Sequence, residues 1–284
     1  VVALSRSAEE HVPEGARGIA VDLLDAFATE RAVAEAAPQV VYHLAAQASV
    51  PAAWRQPSET LGLNVQTTLH LLEAVRRHAP EARVVAVGSG EVYGPPAELP
   101  VAEDAPLRPQ NPYAVSKAAA ELLAGMYADA HGLHVVRVRP FNHAGPGQTD
   151  EYVVATLARQ AAEGLAAGDG PIRIVTGSPD PRRDFTDVRD VARAYRLLAE
   201  RAPAGVYNVC SGTSVSVAEL LEVLSGAVGR EIAHEVDPAR VRAHEVMEIR
   251  GDPSRLREAT GWEREIPLRD TVRDAVEWWR SQLV

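Results

Sequence analysis

Tyr113 and Lys117 stand four residues apart in the stretch NPYAVSK, and Lys117 is the sole lysine among the 29 lysines and arginines of the chain. Asn111 is a good helix N-cap and Pro112 suits the first helical position. The stretch therefore predicts a helix that starts here and carries Tyr113 and Lys117 on one face. A little upstream, VGSGEVYG offers Ser89 and Glu91. A hydroxyl, a phenol, an ammonium and a carboxylate are groups that donate and accept protons. The plainer alternative is a solvated lysine beside a packed tyrosine, and a spacing of four does not by itself separate the two.

The elements around these residues alternate. GIAVDL (18–23), PQVVYHLAA (38–46), ARVVAVGS (82–89) and LHVVRVRPFN (133–142) read as short buried strands. DAFATERAVAEAA (25–37), TLGLNVQTTLHLLEAVRRHA (60–79) and the helix of the opening stretch lie between them with helical periodicity. Buried strands separated by helices predict a parallel sheet covered on both faces, a doubly wound α/β fold. Such sheets bind ligands beyond the carboxyl ends of their strands. The polar strand ends here are Leu44-Ala45-Ala46-Gln47, Ser89-Gly90-Glu91 and Asn142-His143. The second half reads as helices at 151–165, 187–200, 216–229 and 268–280, with strands at 171–177 and 205–212. It is expected to add a sixth strand to the sheet and to build a smaller α/β domain. The domain expectation is a dinucleotide-binding domain over 1–142, with 187–212 contributing, and a substrate-binding domain over 143–186 and 213–284.

Composition narrows the class. The chain has 284 residues, 46% hydrophobic and 24% charged, with a net charge of −10, which fits a soluble globular protein. That charge argues against nucleic acid or an anionic membrane as partner, and no apolar run is long enough to span a bilayer. The single cysteine, Cys210, allows no internal disulfide and points to a reducing cytoplasm. No metal-ligand pattern stands out. The arginine bias fits either codon composition or heat adaptation.

Read together, HLAAQ (43–47), NVQTTLHLLEA (64–74), VGSGEVYG (87–94), PYAVSK (112–117), RPFN (139–142), RRDFTDVRD (182–190), YNVCSG (207–212) and TGWEREIPL (260–268) resemble the extended short-chain dehydrogenases/reductases that act on nucleotide sugars. The match runs almost end to end. The resemblance implies a Rossmann-like fold and a set of roles. Tyr113 would be the acid/base, and Lys117 would hold the nicotinamide ribose and lower the pKa of the phenol. Ser89 would hydrogen-bond the reacting sugar oxygen. Asn64 would support a proton-relay water, or else serve only as a residue of a mid-helix kink. Similar enzymes pair their long helices across a homodimer, which here means helices 60–79 and 113–128.

The family's cofactor signature is a glycine-rich turn after the first strand. The chain instead opens with VVALSRS (1–7), which resembles the family's second strand. The expectation is therefore that the first strand and its glycine turn lie upstream and that the sequence is incomplete at its N-terminus. NAD-preferring sites carry an acid at the end of the second strand. Ser5-Arg6-Ser7 stands there instead. Arg6 suits a 2′-phosphate, so NADP(H) is favoured with NAD(H) possible, unless Arg6 is only a solvent-facing turn residue. Asp22 and Leu23 resemble the adenine-contacting pair, and Leu44, Ala45 and Ala46 are expected beside the cofactor.

Among relatives, FNHAGPGQ (141–148) with RRDFTDVRD most resembles the reductase of GDP-4-keto-6-deoxy-D-mannose. The alternative is GDP-mannose 4,6-dehydratase, in which a glutamate in the place of Glu91 removes the C5 proton. A nucleotide-sugar 4-epimerase and a noncatalytic nucleotide-sugar sensor are further alternatives, although a sensor has no use for Ser89, Tyr113 and Lys117 together. Gln47, Asn142, Arg183 and Arg242 are the expected substrate contacts, the two arginines on the pyrophosphate. Arg242 stands in RAHEV, where relatives often have proline after the arginine. His143 reads as structural.

Overall fold

The apolar runs become strands and the periodic stretches become helices. The computed structural model describes residues 1–7, 12, 14–241 and 246–283. In chain order the first elements are β1 (Val2–Ser5), β2 (Arg17–Ala20), α1 (Ala26–Ala36), β3 (Val40–His43), α2 (Val50–Arg55), α3 (Pro57–His78), β4 (Arg83–Val87), α4 (Pro112–His131) and β5 (Val135–Pro140). They are followed by β6 (Asn142–Ala144), α5 (Val153–Ala167), β7 (Ile172–Thr176), β8 (Arg182–Asp187), α6 (Val188–Arg201) and β9 (Gly205–Val209). The chain ends through β10 (Ser214–Ser216), α7 (Val217–Val228), β11 (Ile232–Val236), β12 (Glu248–Ile249), α8 (Ser254–Thr260) and α9 (Leu268–Gln282). Two compact units result. One holds Val1–Val92, Leu107–Arg139 and Leu198–Tyr207; the other holds Tyr93–Pro106, Pro140–Leu197 and Asn208–Val284.

In the first unit β3 pairs with β4 and β4 with β5, both parallel, from Val40 opposite Arg83 and Val84 opposite Val135. Parallel neighbours need a crossover, and α3 and α4 supply it. The sheet order is β3-β4-β5-β9. Val84 and Val85, adjacent on β4, are both fully buried, as expected of a strand covered on both faces. Leu71, Leu72 and Val75 of α3 pack with Val84, Val135 and Tyr127 into one core. Each such side chain contributes roughly 1.5–3 kcal/mol by leaving water.

β1 and β2 form a separate parallel pair, Val2 opposite Arg17 through Ser5 opposite Ala20. β1 and β3 are each an outer strand of their own sheet, and they do not pair. On β3, Val40 is 37% exposed and Tyr42 42%, unlike the closed faces of β4.

Helix α4 has the local signals that start and stop a helix. The Asn111 side chain accepts from Ala114 N–H, Pro112 occupies the first turn, and Gly132 closes the C-terminus at φ 68° with its N–H donating to Ala128 O. A Cβ at that φ is strained, so Gly132→Val would fray the last turn.

In the second unit β8 is central. It pairs with β10 antiparallel and with β12 and β6 parallel, and β7 pairs with β11. Helices α5, α7 and α9 bury Val154, Leu157, Leu220, Leu224 and Val276 against Ile172 and Phe185. Asn142 and His143 were expected to end the strand of LHVVRVRPFN. They instead open β6, with Asn142 opposite Phe185. Pro140, with no N–H to donate, closes β5 just before them, and β8 offers a new pairing partner.

Candidate active site

Two strand ends and two helices of the first unit gather the chemistry. β4 is followed by Gly88, whose N–H donates to Val138 O at 2.8 Å. A Cβ at Gly88 would lie 3.0 Å from that same oxygen, so the chain approaches β5 too closely there for a side chain without a shift. The next residue is Ser89, buried, at the entry to a short 3-10 turn over Gly90–Tyr93. Its Oγ accepts from the Glu91 N–H at 3.2 Å, which leaves the hydroxyl proton available to donate.

Tyr113 and Lys117 lie one turn apart on α4 and are 9% and 6% exposed. Lys117 Nζ donates to Val87 O at 2.8 Å, so one of three N–H groups is engaged. Burial lowers the pKa of Lys117 to about 8, which still leaves it cationic at pH 7. No salt bridge to a carboxylate joins it among the described residues. The alternative of a solvated lysine is thus excluded: the side chain is inside.

Asn64, 2% exposed on α3, ties these elements together. Its Nδ2 donates to Gln47 O at 3.1 Å and to Ser116 Oγ at 2.8 Å, and its Oδ1 accepts from Gln47 N–H at 2.8 Å. Ser116 Oγ in turn donates to Tyr113 O at 2.7 Å. Both amide donors of Asn64 are therefore engaged in holding the end of β3 to the first turn of α4. Its main-chain O accepts from Thr68 Oγ1 at 2.8 Å, and Thr68 Oγ1 lies 3.0 Å from His43 Nε2. Burial, aided by the Lys117 charge, lowers the pKa of His43 to about 4, so the imidazole is neutral and adds no second cation. Sequence reading assigned nothing to Ser116, Thr68 or His43. Only the place of Ser116, between Tyr113 and Lys117 on a helix, hinted at it.

The remaining expected residues fall into separate groups. Gln47 donates from Nε2 to Ser49 O at 3.0 Å, and its Oε1 is buried without a partner. Leu44 is 61% exposed after β3, followed by Ala45 and Ala46. Arg6 is exposed just beyond β1, and Asp22 Oδ1, just beyond β2, accepts from Leu24 N–H at 2.9 Å. Leu23 O meets His70 Nδ1 at 2.8 Å. In the second unit Asn142 is half-buried on β6, and Arg183 on β8 donates from Nη1 to Arg182 O at 2.9 Å and to Val246 O at 2.8 Å. His143, half-buried, has Nδ1 3.1 Å from Phe141 O, and desolvation lowers its pKa. Arg242 lies outside the described residues. No cluster of His, Cys, Asp and Glu suited to a metal ion occurs among the described residues.

The family model described as GDP-mannose 4,6 dehydratase matches residues 2–275. The chain is 42% identical over 252 residues to the GDP-6-deoxy-D-mannose reductase of Pseudomonas aeruginosa, covering 87% of this chain and 82% of that one. It is 33% identical over 265 residues to the UDP-glucose 4-epimerase of Mycolicibacterium smegmatis, covering 93% and 83%. Among solved structures, RMD from Pseudomonas aeruginosa complexed with NADPH superposes with a TM-score of 0.87 at 38% identity, covering 97% of this chain and 93% of that one.

Proposed function

The chain belongs to the GDP-mannose 4,6 dehydratase family, and from that premise we propose that it reduces the C4 ketone of a GDP-4-keto-6-deoxy-hexose with NADPH. It is a nucleotide-sugar oxidoreductase of the extended short-chain type. The observation that carries the reduction is the 42% identity to a GDP-6-deoxy-D-mannose reductase along 87% of the chain.

The donor set fits the cofactor. Lys117 keeps two N–H groups beyond its bond to Val87 O, and two vicinal ribose hydroxyls accept two such bonds. Arg6 offers an exposed guanidinium for a 2′-phosphate, Asp22 and Leu23 the adenine side, and Leu44, Ala45 and Ala46 a close wall. Bound there, NADPH supplies the hydride that C4 receives. The Ser89 hydroxyl donates to the ketone oxygen and so stabilises the charge that grows on it. Tyr113 gives its phenolic proton to that oxygen, completing the alcohol. The Lys117 ammonium favours the phenolate left behind. Gln47, with its unpartnered buried Oε1, is suited to a sugar hydroxyl. Asn142, Arg183 and Arg242 are the further candidates for the nucleotide sugar, the arginines for its pyrophosphate.

The retained Glu91 favours one second reading, dehydration of GDP-mannose. The two separate in one experiment. NADPH is expected to be consumed only when a GDP-linked 4-keto-6-deoxy sugar is present. With GDP-mannose and NADP+, mass spectrometry is expected to find no product lighter by one water; finding it would promote the dehydratase.

A homodimer is the favoured assembly. Val115, Leu122 and Met126 share one face of α4 and are 41%, 64% and 47% exposed, an apolar strip that a second α4 can cover. Light scattering is expected to give twice the 30.5 kDa chain mass; a monomer at micromolar concentration would argue against it. No helix among the described residues is long and apolar enough to cross a membrane. The buried, unpaired Cys210 supports a cytoplasmic, reducing location.

A further inference from the structure

Ketone reduction gives Glu91 no proton to remove, yet its carboxylate is tied in place. Asn111 Nδ2 donates to Glu91 Oε2 at 3.3 Å. The other end of the same amide, Asn111 Oδ1, accepts from Ala114 N–H at 2.8 Å as the cap of α4. The Glu91 N–H donates to Ser89 Oγ at 3.2 Å. A path of three hydrogen bonds, wholly inside the first unit, thus runs from the Ser89 hydroxyl through Glu91 and Asn111 to the helical turn that carries Tyr113. A helix cap needs only an oxygen, and serine or aspartate serves as well as asparagine. What asparagine adds is a donor on the same rigid group, and here that donor is used on Glu91.

We infer that Asn111 is a positioning residue, which couples the Ser89–Glu91 turn to the first turn of α4 so that Ser89 and Tyr113 keep one geometry, and that Glu91 acts as a strut in this coupling. The inference rests on the reduction reading above. It separates three properties of Glu91: a strut needs an acceptor atom, a base needs a titrating carboxylate, and a bystander needs neither.

Four variants test it in the intact protein, by steady-state reduction of a GDP-linked 4-keto-6-deoxy sugar with NADPH. Asn111→Ser keeps the cap and removes the donor to Glu91. Glu91→Ala removes the acceptor and leaves the helix cap untouched. Glu91→Gln keeps an acceptor oxygen and removes the charge. The double variant Asn111→Ser with Glu91→Ala completes the cycle. Asn111→Ser and Glu91→Ala are each expected to lower kcat about tenfold through misplaced groups, with KM within about twofold. Glu91→Gln is expected to stay near the parent rate, and the double variant to fall no lower than either single, as coupled residues do. Parent-like kcat in both Asn111→Ser and Glu91→Ala would overturn the inference, as would additive losses in the double. A Glu91→Gln rate as low as that of Glu91→Ala would make Glu91 a base. If the parent protein itself leaves the ketone unreduced, the reduction reading fails first, and that outcome is distinct from the others.

Discussion

Tyr113→Phe is expected to lower kcat for ketone reduction by about 10²–10⁴-fold, the range for loss of a positioned acid. KM for the nucleotide sugar is expected to stay within about threefold, since the ring and its packing remain. Tyr113 is 9% exposed on the first turn of a capped helix, so removing one oxygen opens little space and leaves the helix signals intact. Steady-state kinetics with NADPH and the keto sugar checks this. A kcat within about threefold of the parent would mean that another group delivers the proton, and Tyr113 would be left with packing alone.

Lys117→Arg is expected to lower turnover by about 10²-fold or more, although charge is conserved. The ammonium is a compact head reaching Val87 O at 2.8 Å in a position 6% exposed. A planar, wider guanidinium does not fit that head's place, and its donors point elsewhere. Near-normal turnover in this variant would remove the case for a lysine-specific role. The same burial has a stability side. The pKa of Lys117 is lowered from 10.5 to about 8 by desolvation. Below pH 8 both folded and unfolded chains carry the charge and the cost of burying it stands in full. Between about 8 and 10.5 the unfolded chain binds a proton that the folded one has released, so stability rises with pH across that window. Lys117→Met is therefore expected to raise the urea midpoint at pH 7 while abolishing turnover, with the gain shrinking as pH approaches 10.5. A midpoint that falls at pH 7 would mean that the ammonium stabilises its surroundings more than its burial costs.

The parts of the fold that depend on local signals were legible. Asn111 and Pro112 predict the start of α4, and the apolar runs around Val84 and Val136 predict β4 and β5. The strand β8 was not foreseen, because RRDFTD carries four charges in six residues. Its stability comes from distant partners: Asp184, fully buried, accepts from Ser211 N–H and Oγ, from Gly212 N–H and from Gly251 N–H. Likewise α2, with Pro51 in its first turn and six residues in all, is too short to show a period. The site divides the same way. Tyr113 and Lys117 stand out by type and spacing, whereas the bonds from Asn64 to Ser116 and from Asn111 to Glu91 join residues 52 and 20 positions apart. Nothing in a single sequence announces such pairs, since asparagine and serine there read equally well as helix and turn residues.

The solitary, buried lysine has a practical side. An amine-directed acylating reagent finds only one ε-amine in the chain, Lys117, and its lowered pKa of about 8 leaves a small nucleophilic fraction at neutral pH. Access, not ionisation, then governs the reaction, because the amine is 6% exposed. The rate of acylation at Lys117 therefore measures how often this turn of α4 breathes open to solvent. Slowing by added NADPH or GDP-sugar would report which ligand latches it shut. With arginine in place of every other lysine, the enzyme carries one ε-amine probe of its own, with no engineered label.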